Sequence, residues 1–372
     1  MNTRAFSLCF GLLLVACDDA PQEPTGTDAR SSGPAHSGTT AAPSASQTFE
    51  PKRVDLQADA MGTKLHLVSF TTPRLAEPEV KQAMQAAMSE VDRLAKLLSD
   101  WTADSDVGHV NAAAGEFVKV SPETLEVVEK GLWAGKVSEG TFDITWNSLG
   151  GLWKFGDARE ADPKPPSAAE IKRLLPRVNY TRVETQDDPP QVKVPKDSKL
   201  GLGGIAKGYI VDKMAAAMRK AGLSSFLVQA GGDLYGAGRK PDGSPWVSGI
   251  QDPRGKDGSF FAVIELTDHA FSTAGDYARA YVHGGKRYHH IIDPRTGYPA
   301  TASRSVTIWA PSALLADAID DAVFILGPEK GLKLVEDTDG VGAVIVTKDN
   351  KVIVSKRIEG KVKITAQPTD GI

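Results

Sequence analysis

The sequence predicts an α+β fold. Helical and strand-forming segments follow one another in neither a strict βαβ alternation nor an all-β series, no internal repeat groups them, and nothing in the strand runs demands a parallel sheet. In segment 77–98, Val80, Met84, Ala87, Val91, Leu94 and Leu98 recur at helical spacing and predict one amphipathic helix. Ser121-Pro122-Glu123 opens a second, since a Ser cap and a Pro in the first turn both suit a helix start, and Gly140 lies just past its end. Ser167 with Glu170 has the spacing of a capping box for a third. Segment 205–221 predicts a fourth, stopped by Gly222, and segment 312–326 a fifth, stopped by Gly327. Strands are predicted at 63–70, 226–229, 261–266, 305–309, 341–346 and 351–354, with Asp349-Asn350 turning the last two into a hairpin.

The N-terminus points to export. Residues 1–16 read as a signal peptide: Arg4 is the positive flank, and the apolar run after it is too short to span a bilayer. The run ends in Leu14-Val15-Ala16-Cys17, the pattern of a bacterial lipobox, in which the Cys17 thiol carries the lipid. Cys9 falls inside the segment to be removed, so no thiol is left in the folded part and both a disulfide framework and a Cys-ligated metal are excluded. Up to about residue 50 the chain is Pro, Thr, Ser, Gly and Ala with few large apolar residues, which predicts a disordered tether. The expected address is a lipoprotein on the periplasmic face of the inner membrane, Asp18 being the hint for retention there. Residues 51–372 remain for one large domain or two closely packed lobes. The net charge of −4 comes from interspersed charges without a basic run, which argues against nucleic acid as a partner.

Five stretches carry candidate chemistry. Gly201-Leu202-Gly203-Gly204-Ile205-Ala206-Lys207-Gly208 places glycines and a lysine at a helix start, where free N–H groups can face an anion, or else it is a plain helix-entry turn. Ala230-Gly231-Gly232-Asp233 and Phe271-Ser272-Thr273-Ala274-Gly275-Asp276-Tyr277 each set small residues beside an Asp, in a cleft wall or a structural turn. His290, Asp293 and Arg295 offer a base, an orienting carboxylate and an anion contact; the other reading is a polar turn in which Asp293 caps Thr296 or Gly297. Asp317 and Asp321 are four apart on one helix, so both carboxylates project from one face, and an oxygen-only pair of that kind suits Mg²⁺.

Taken together, Met61-Gly62-Thr63, Leu98-Ser99-Asp100-Trp101 with Asn111, Gly140-Thr141-Phe142-Asp143-Ile144-Thr145 with Leu152-Trp153, the Gly-rich stretch, the 230–233 and 272–277 stretches, the 290–297 stretch and the 316–327 helix resemble, in that order, the FAD:protein FMN transferases of the ApbE family. The resemblance runs from about residue 55 to 356. It implies a two-lobed domain with a cleft for flavin and metal, Mg²⁺ as cofactor, FAD as substrate and a Thr or Ser hydroxyl of a membrane redox subunit as acceptor, with AMP released. By matching position it implies Met61 and Trp101 against the isoalloxazine or adenine, and Thr141, Phe142 and Asp143 lining the nucleotide cleft. Lys207 falls near the cofactor's polar groups and Ile292 in contact with it. The same matching puts the Gly204 carbonyl, Asp317 and Asp321 on the metal, and His290 beside the acceptor hydroxyl. Two positions depart from the family pattern: Gly201 stands where Asp is usual and Asp321 where Thr is usual. Either the second change returns the charge lost in the first, or the chain has drifted towards binding flavin without transfer. An FAD-splitting hydrolase and a non-catalytic FAD-binding lipoprotein are the alternatives in other classes.

Overall fold

Side chains alternate across a strand, so a sheet covered on both faces needs apolar residues at every position, whereas a half-covered one needs them at every second. The inner strands of the central sheet here are of the first kind, whereas its first strand, Arg53–Ala60, is exposed at alternate positions. A computed structural model describes residues 49–155 and 163–371, so the signal segment, Cys17 and nearly all of the tether lie outside the described residues. The sheet consists of β1 Arg53–Ala60, β2 Thr63–Phe70, β3 Phe226–Ala230, β4 Asp233–Ala237, β5 His269–Gly275, β6 Ser303–Ala310, β7 Gly342–Thr347 and β8 Val352–Val354. Its spatial order is its chain order, and every neighbouring pair is antiparallel. In β3, Val228 joins Leu65, Ile308 and Ile345 under the helices. The adjacent Leu227 joins Val68, Trp309 and Val344 on the other face, which a three-stranded sheet of Trp246–Gln251, Phe260–Leu266 and Val362–Ile364 covers.

The helices are α1 Glu77–Leu97, α2 Asp106–Ala112, α3 Pro122–Val137, α4 Ala168–Leu174, α5 Ala206–Lys220 and α6 Ala313–Asp337. α1 buries the face expected of it: Val80, Met84, Ala87, Val91 and Leu94. Ser121, Ser167 and Ser312 each accept a backbone N–H three residues on, and the Ser167–Glu170 capping box is complete. α2, α3 and α4, with a small sheet of Val118–Lys119, Pro190–Lys193 and Glu184–Asp187, make a second lobe. Val107, Val128 and Val192 of that lobe belong to the same apolar cluster as Leu65 and Ile345, so one core runs through both lobes.

Two expectations need correction. Gly327 does break α6, with φ 77° and ψ −176°, but helix resumes at once through Pro328 to Asp337. A proline lacks only the N–H that a first helical turn leaves unpaired, so it starts the second segment rather than barring it. The 271–277 stretch, read as a cleft wall or a structural turn, is instead the body of β5 with its exit, while 230–233 is the β3–β4 turn with the start of β4.

Candidate functional site

The site grows from the crossing of α5 and α6. A Cβ added at Gly208 of α5 would lie 2.3 Å from Ala313 O and 2.7 Å from Asp317 Cβ, so glycine is what lets the two backbones approach. Asp212 of α5 caps the start of α6 from outside, accepting the Ala313 and Leu314 N–H groups at 2.8 and 2.9 Å. Ahead of α5, Asn111 clamps the Gly-rich loop: its Oδ1 accepts the Leu200 N–H at 2.7 Å and its Nδ2 donates to Leu200 O at 2.9 Å.

This crossing brings charges together. Asp317 Oδ2 accepts the Gly208 N–H at 2.8 Å, and its Oδ1 lies 3.6 Å from Lys207 Nζ. Lys207 Nζ donates to Asp233 Oδ2 at 2.7 Å, Asp233 being delivered by the Gly231-Gly232 turn between β3 and β4. Ser272 of β5 reaches both Asp233 Oδ1 and, at 2.6 Å, Asp320 Oδ2. Oxygens of Asp233, Asp317 and Asp320, all buried, lie within 4.8 Å of one another. Asp321 faces the Gly-rich loop: a Cβ built at Gly204 would be 3.6 Å from its Oδ2 and 3.5 Å from the Phe142 ring.

Burial and mutual repulsion disfavour ionisation of these acids. The Asp317 carboxyl is pushed up to about 8 by burial and by Asp233, against the pull of Lys207 and the Gly208 N–H. Asp321 is raised to about 6 by burial and Asp233, again against Lys207. Asp320 is raised well above the carboxylate range by burial and by its acidic neighbours. The single Ser272 hydroxyl proton can serve only one of its two carboxyl contacts, so the other contact needs a carboxyl proton, and Asp320 is the acid that keeps one. For Lys207, burial works against the cation, but Asp233, Asp317 and Asp320 outweigh it and hold the amine charged.

His290 is an exposed residue, close enough to the cluster for the charge of Lys207 to reach its ring. The protein packed around the imidazole, with the charges of His289, Arg279 and Lys207, holds it well below the ordinary value and therefore neutral. Asp293 does not orient it, and of the two readings of this stretch the polar turn holds: the Asp293 carboxylate takes Arg295, at 2.8 and 2.9 Å, and its carbonyl accepts the Thr296 and Gly297 N–H groups. A pair two residues apart satisfies itself before any longer reach is needed. Trp153 Nε1 steadies this turn by donating to Gly297 O at 2.9 Å.

The other candidates are more dispersed. Thr141 Oγ1 bonds Ser138 O and Ala322 O, tying the 140–145 loop to α6. Both Asp143 oxygens are engaged within the fold, by Thr145 and by the Tyr180 N–H, so Asp143 shapes the loop. Met61 occupies the β1–β2 turn with φ 52°, beside the β3–β4 turn that carries Asp233. Ile292 begins a two-residue strand paired with Tyr298–Pro299. Trp101, 91% exposed, lines a cavity of about 280 Å³ with Asp100, Asn111, Asn147 and Lys199. Gly201 faces that side: a Cβ there would lie 2.9 Å from Asn147 Cβ. Gly201 and Asp321 thus have different neighbours, which argues against one restoring the other's charge at a shared point. Asp233, Ser272 and Asp320 were not singled out as ligands by sequence, although all three fall inside stretches that drew notice.

With this geometry in view, the comparisons are consistent. The ApbE family model matches residues 61–345. The FAD:protein FMN transferase of Escherichia coli (strain K12) is 30% identical over 354 residues, covering 93% of each chain. Among solved structures, the ApbE protein of Thermotoga maritima has a TM-score of 0.74 at 32% identity, covering 82% of this chain and 98% of its own. The apo flavinyl transferase ApbE of Pseudomonas stutzeri has a TM-score of 0.73 at 30% identity, covering 83% and 96%. A family match spanning most of the chain, joined to relatives that align along nearly their whole length, shows that the chain belongs to the ApbE family.

Proposed function

We propose that this chain is an FAD:protein FMN transferase, which cleaves FAD and joins its FMN half to a Thr or Ser hydroxyl of another protein while AMP departs. The observation that carries the reading is the buried Asp233–Asp317–Asp320 cluster with Lys207 at the Gly-rich start of α5. In the reaction, the acceptor oxygen attacks the phosphorus next to FMN, the bond to the AMP oxygen breaks, and neutral His290 accepts the hydroxyl proton. Met61 and Trp101 offer apolar surface to the ring systems, Phe142 and Ile292 line the cleft, and Thr141 and Asp143 hold its floor loop in shape. Catalysis by the chain itself is chiefly alignment.

Mg²⁺ fits the residues present. Four acids stand against one lysine, and a donor set of oxygens alone suits a hard divalent ion. Asp317, Asp321 and the Gly204 carbonyl would hold it, and when bound it would neutralise diphosphate charge and polarise the phosphorus. Since Asp317 titrates near 8 and Asp321 near 6, protons compete with the cation at low pH. Acids whose folded values are raised lend the apo fold stability at low pH that is lost as pH rises through those values. Thermal melts with and without Mg²⁺ are therefore expected to show a larger stabilising shift at pH 8 than at pH 6. An equal shift at both would place the ion elsewhere.

The transfer itself is tested by incubating the purified chain with FAD, Mg²⁺ and a flavin-accepting subunit. Covalently fluorescent acceptor supports the reading, AMP released without labelled acceptor indicates a hydrolase, and FAD bound but intact indicates a binding protein. The same proposal extends to location: an exported enzyme anchored by lipid at Cys17 would meet acceptors on membrane redox subunits. Cys17→Ser is expected to move the protein from the membrane to the soluble exported fraction with activity unchanged in solution, whereas retention at the membrane would exclude the anchor.

A further inference from the structure

We propose that Arg279 is a substrate-binding residue that grips the FAD diphosphate from the His290 side of the cleft, facing the carboxylate cluster; this rests on the flavin-transferase reading. Arg279 stands at the base of the hairpin Ala280–His283/Lys286–His289, in which Ala280 pairs with His289. Its carbonyl accepts the His290 N–H at 3.1 Å, which fixes the two residues side by side across the hairpin base. The charges of Arg279, on the hairpin, and of Lys207, on α5, both reach the His290 ring.

Three other cations of this region are already committed. Lys207 is held by Asp233 at 2.7 Å, Arg254 is locked to Asp276 at 2.6 and 2.7 Å, and Arg295 is paired with Asp293 at 2.8 Å. Arg279 is exposed, and among the described residues no carboxylate pairs with it. Around the proposed metal the α5–α6 crossing supplies four carboxyl groups and one lysine, itself held by Asp233, so a diphosphate there gains from a further cation on the facing side. A guanidinium fork answers that need with two parallel charge-assisted hydrogen bonds to phosphate oxygens, which a lysine cannot copy in geometry. Placed next to a neutral His290, it adds positive charge near the reacting phosphorus without competing for the acceptor's proton.

Flavin fluorescence titrations of the full chain with Mg²⁺ would test this, using FAD and riboflavin as the two probes and wild type, Arg279→Ala and Arg279→Lys as the three proteins. Removing a charged hydrogen-bond partner is expected to weaken FAD binding by about 10- to 100-fold in Arg279→Ala. Riboflavin, which has no phosphate, should bind the variant as it binds wild type, and Arg279→Lys should recover part of the FAD affinity. Unchanged FAD affinity in Arg279→Ala, or equal losses for FAD and riboflavin, would overturn the proposal while leaving the transferase reading intact. A wild-type chain that binds no FAD would overturn both.

Discussion

Asp317→Ala is expected to lower FMN transfer by roughly 100- to 1,000-fold, the scale seen when one preorganised charge partner of a transition state is removed. The residue has three partners at once: the Gly208 N–H, Lys207 and, in the proposed function, the cation. Asp317→Asn separates them, since an amide oxygen can still accept from Gly208 but brings no charge. If charge is what matters, Asn is as inactive as Ala. It should also melt higher than wild type at pH 9, because a carboxyl pushed up to about 8 is ionised there at a cost to the apo fold that an amide never incurs. Single-turnover labelling of acceptor together with thermal melts reads both signatures. Full activity in Asp317→Asn would remove the carboxylate from the mechanism.

A single methyl group provides the second large effect. Gly208→Ala is expected to destabilise the fold by about 1 to 3 kcal/mol, because the added carbon meets backbone atoms of α6 rather than a side chain that could turn aside. The strain should also cost activity, since whatever parts α5 from α6 parts Lys207 from Asp317. Gly203→Ala is the control: a Cβ there has nothing within 4 Å, so its melting midpoint should stay near wild type. Equal midpoints for the two variants would mean that the helices slide freely and that the close crossing does not position the site.

Asp317 and its neighbours also show what was legible in the sequence. Asp317 could be read because its partner Asp321 lies one helical turn away and the acids interrupt an apolar segment. Asp320 stood between them and was passed over, since its burial is decided by Ser272, 48 positions earlier. Asp233 likewise depends on Lys207, 26 positions away, and no local pattern records that distance. β4 and β5 were missed as strands because small residues replace the usual branched ones. At Gly236 the reason is visible: a Cβ would lie 3.0 Å from Leu266 Cβ and 3.2 Å from Trp246 Cβ of the covering sheet. The helices were easier, since capping and periodicity are local, and α5 and α1 fall within a residue of their expected ends.

The match between spatial and chain order in the central sheet has a further consequence, for how the chain must assemble. Most neighbouring strands meet across a tight turn or a modest excursion, but the β2–β3 seam joins segments that the whole second lobe separates, and the Ser69 hydroxyl reaches Ser225 O across 156 positions. Loop-closure entropy grows only with the logarithm of length, yet here it is concentrated in one seam. Non-local pairings of this kind slow folding, and until the seam forms the β1–β2 hairpin presents an open edge to any other strand it meets. A nascent chain therefore has its N-terminal hairpin ready long before the strand that will shelter it has emerged.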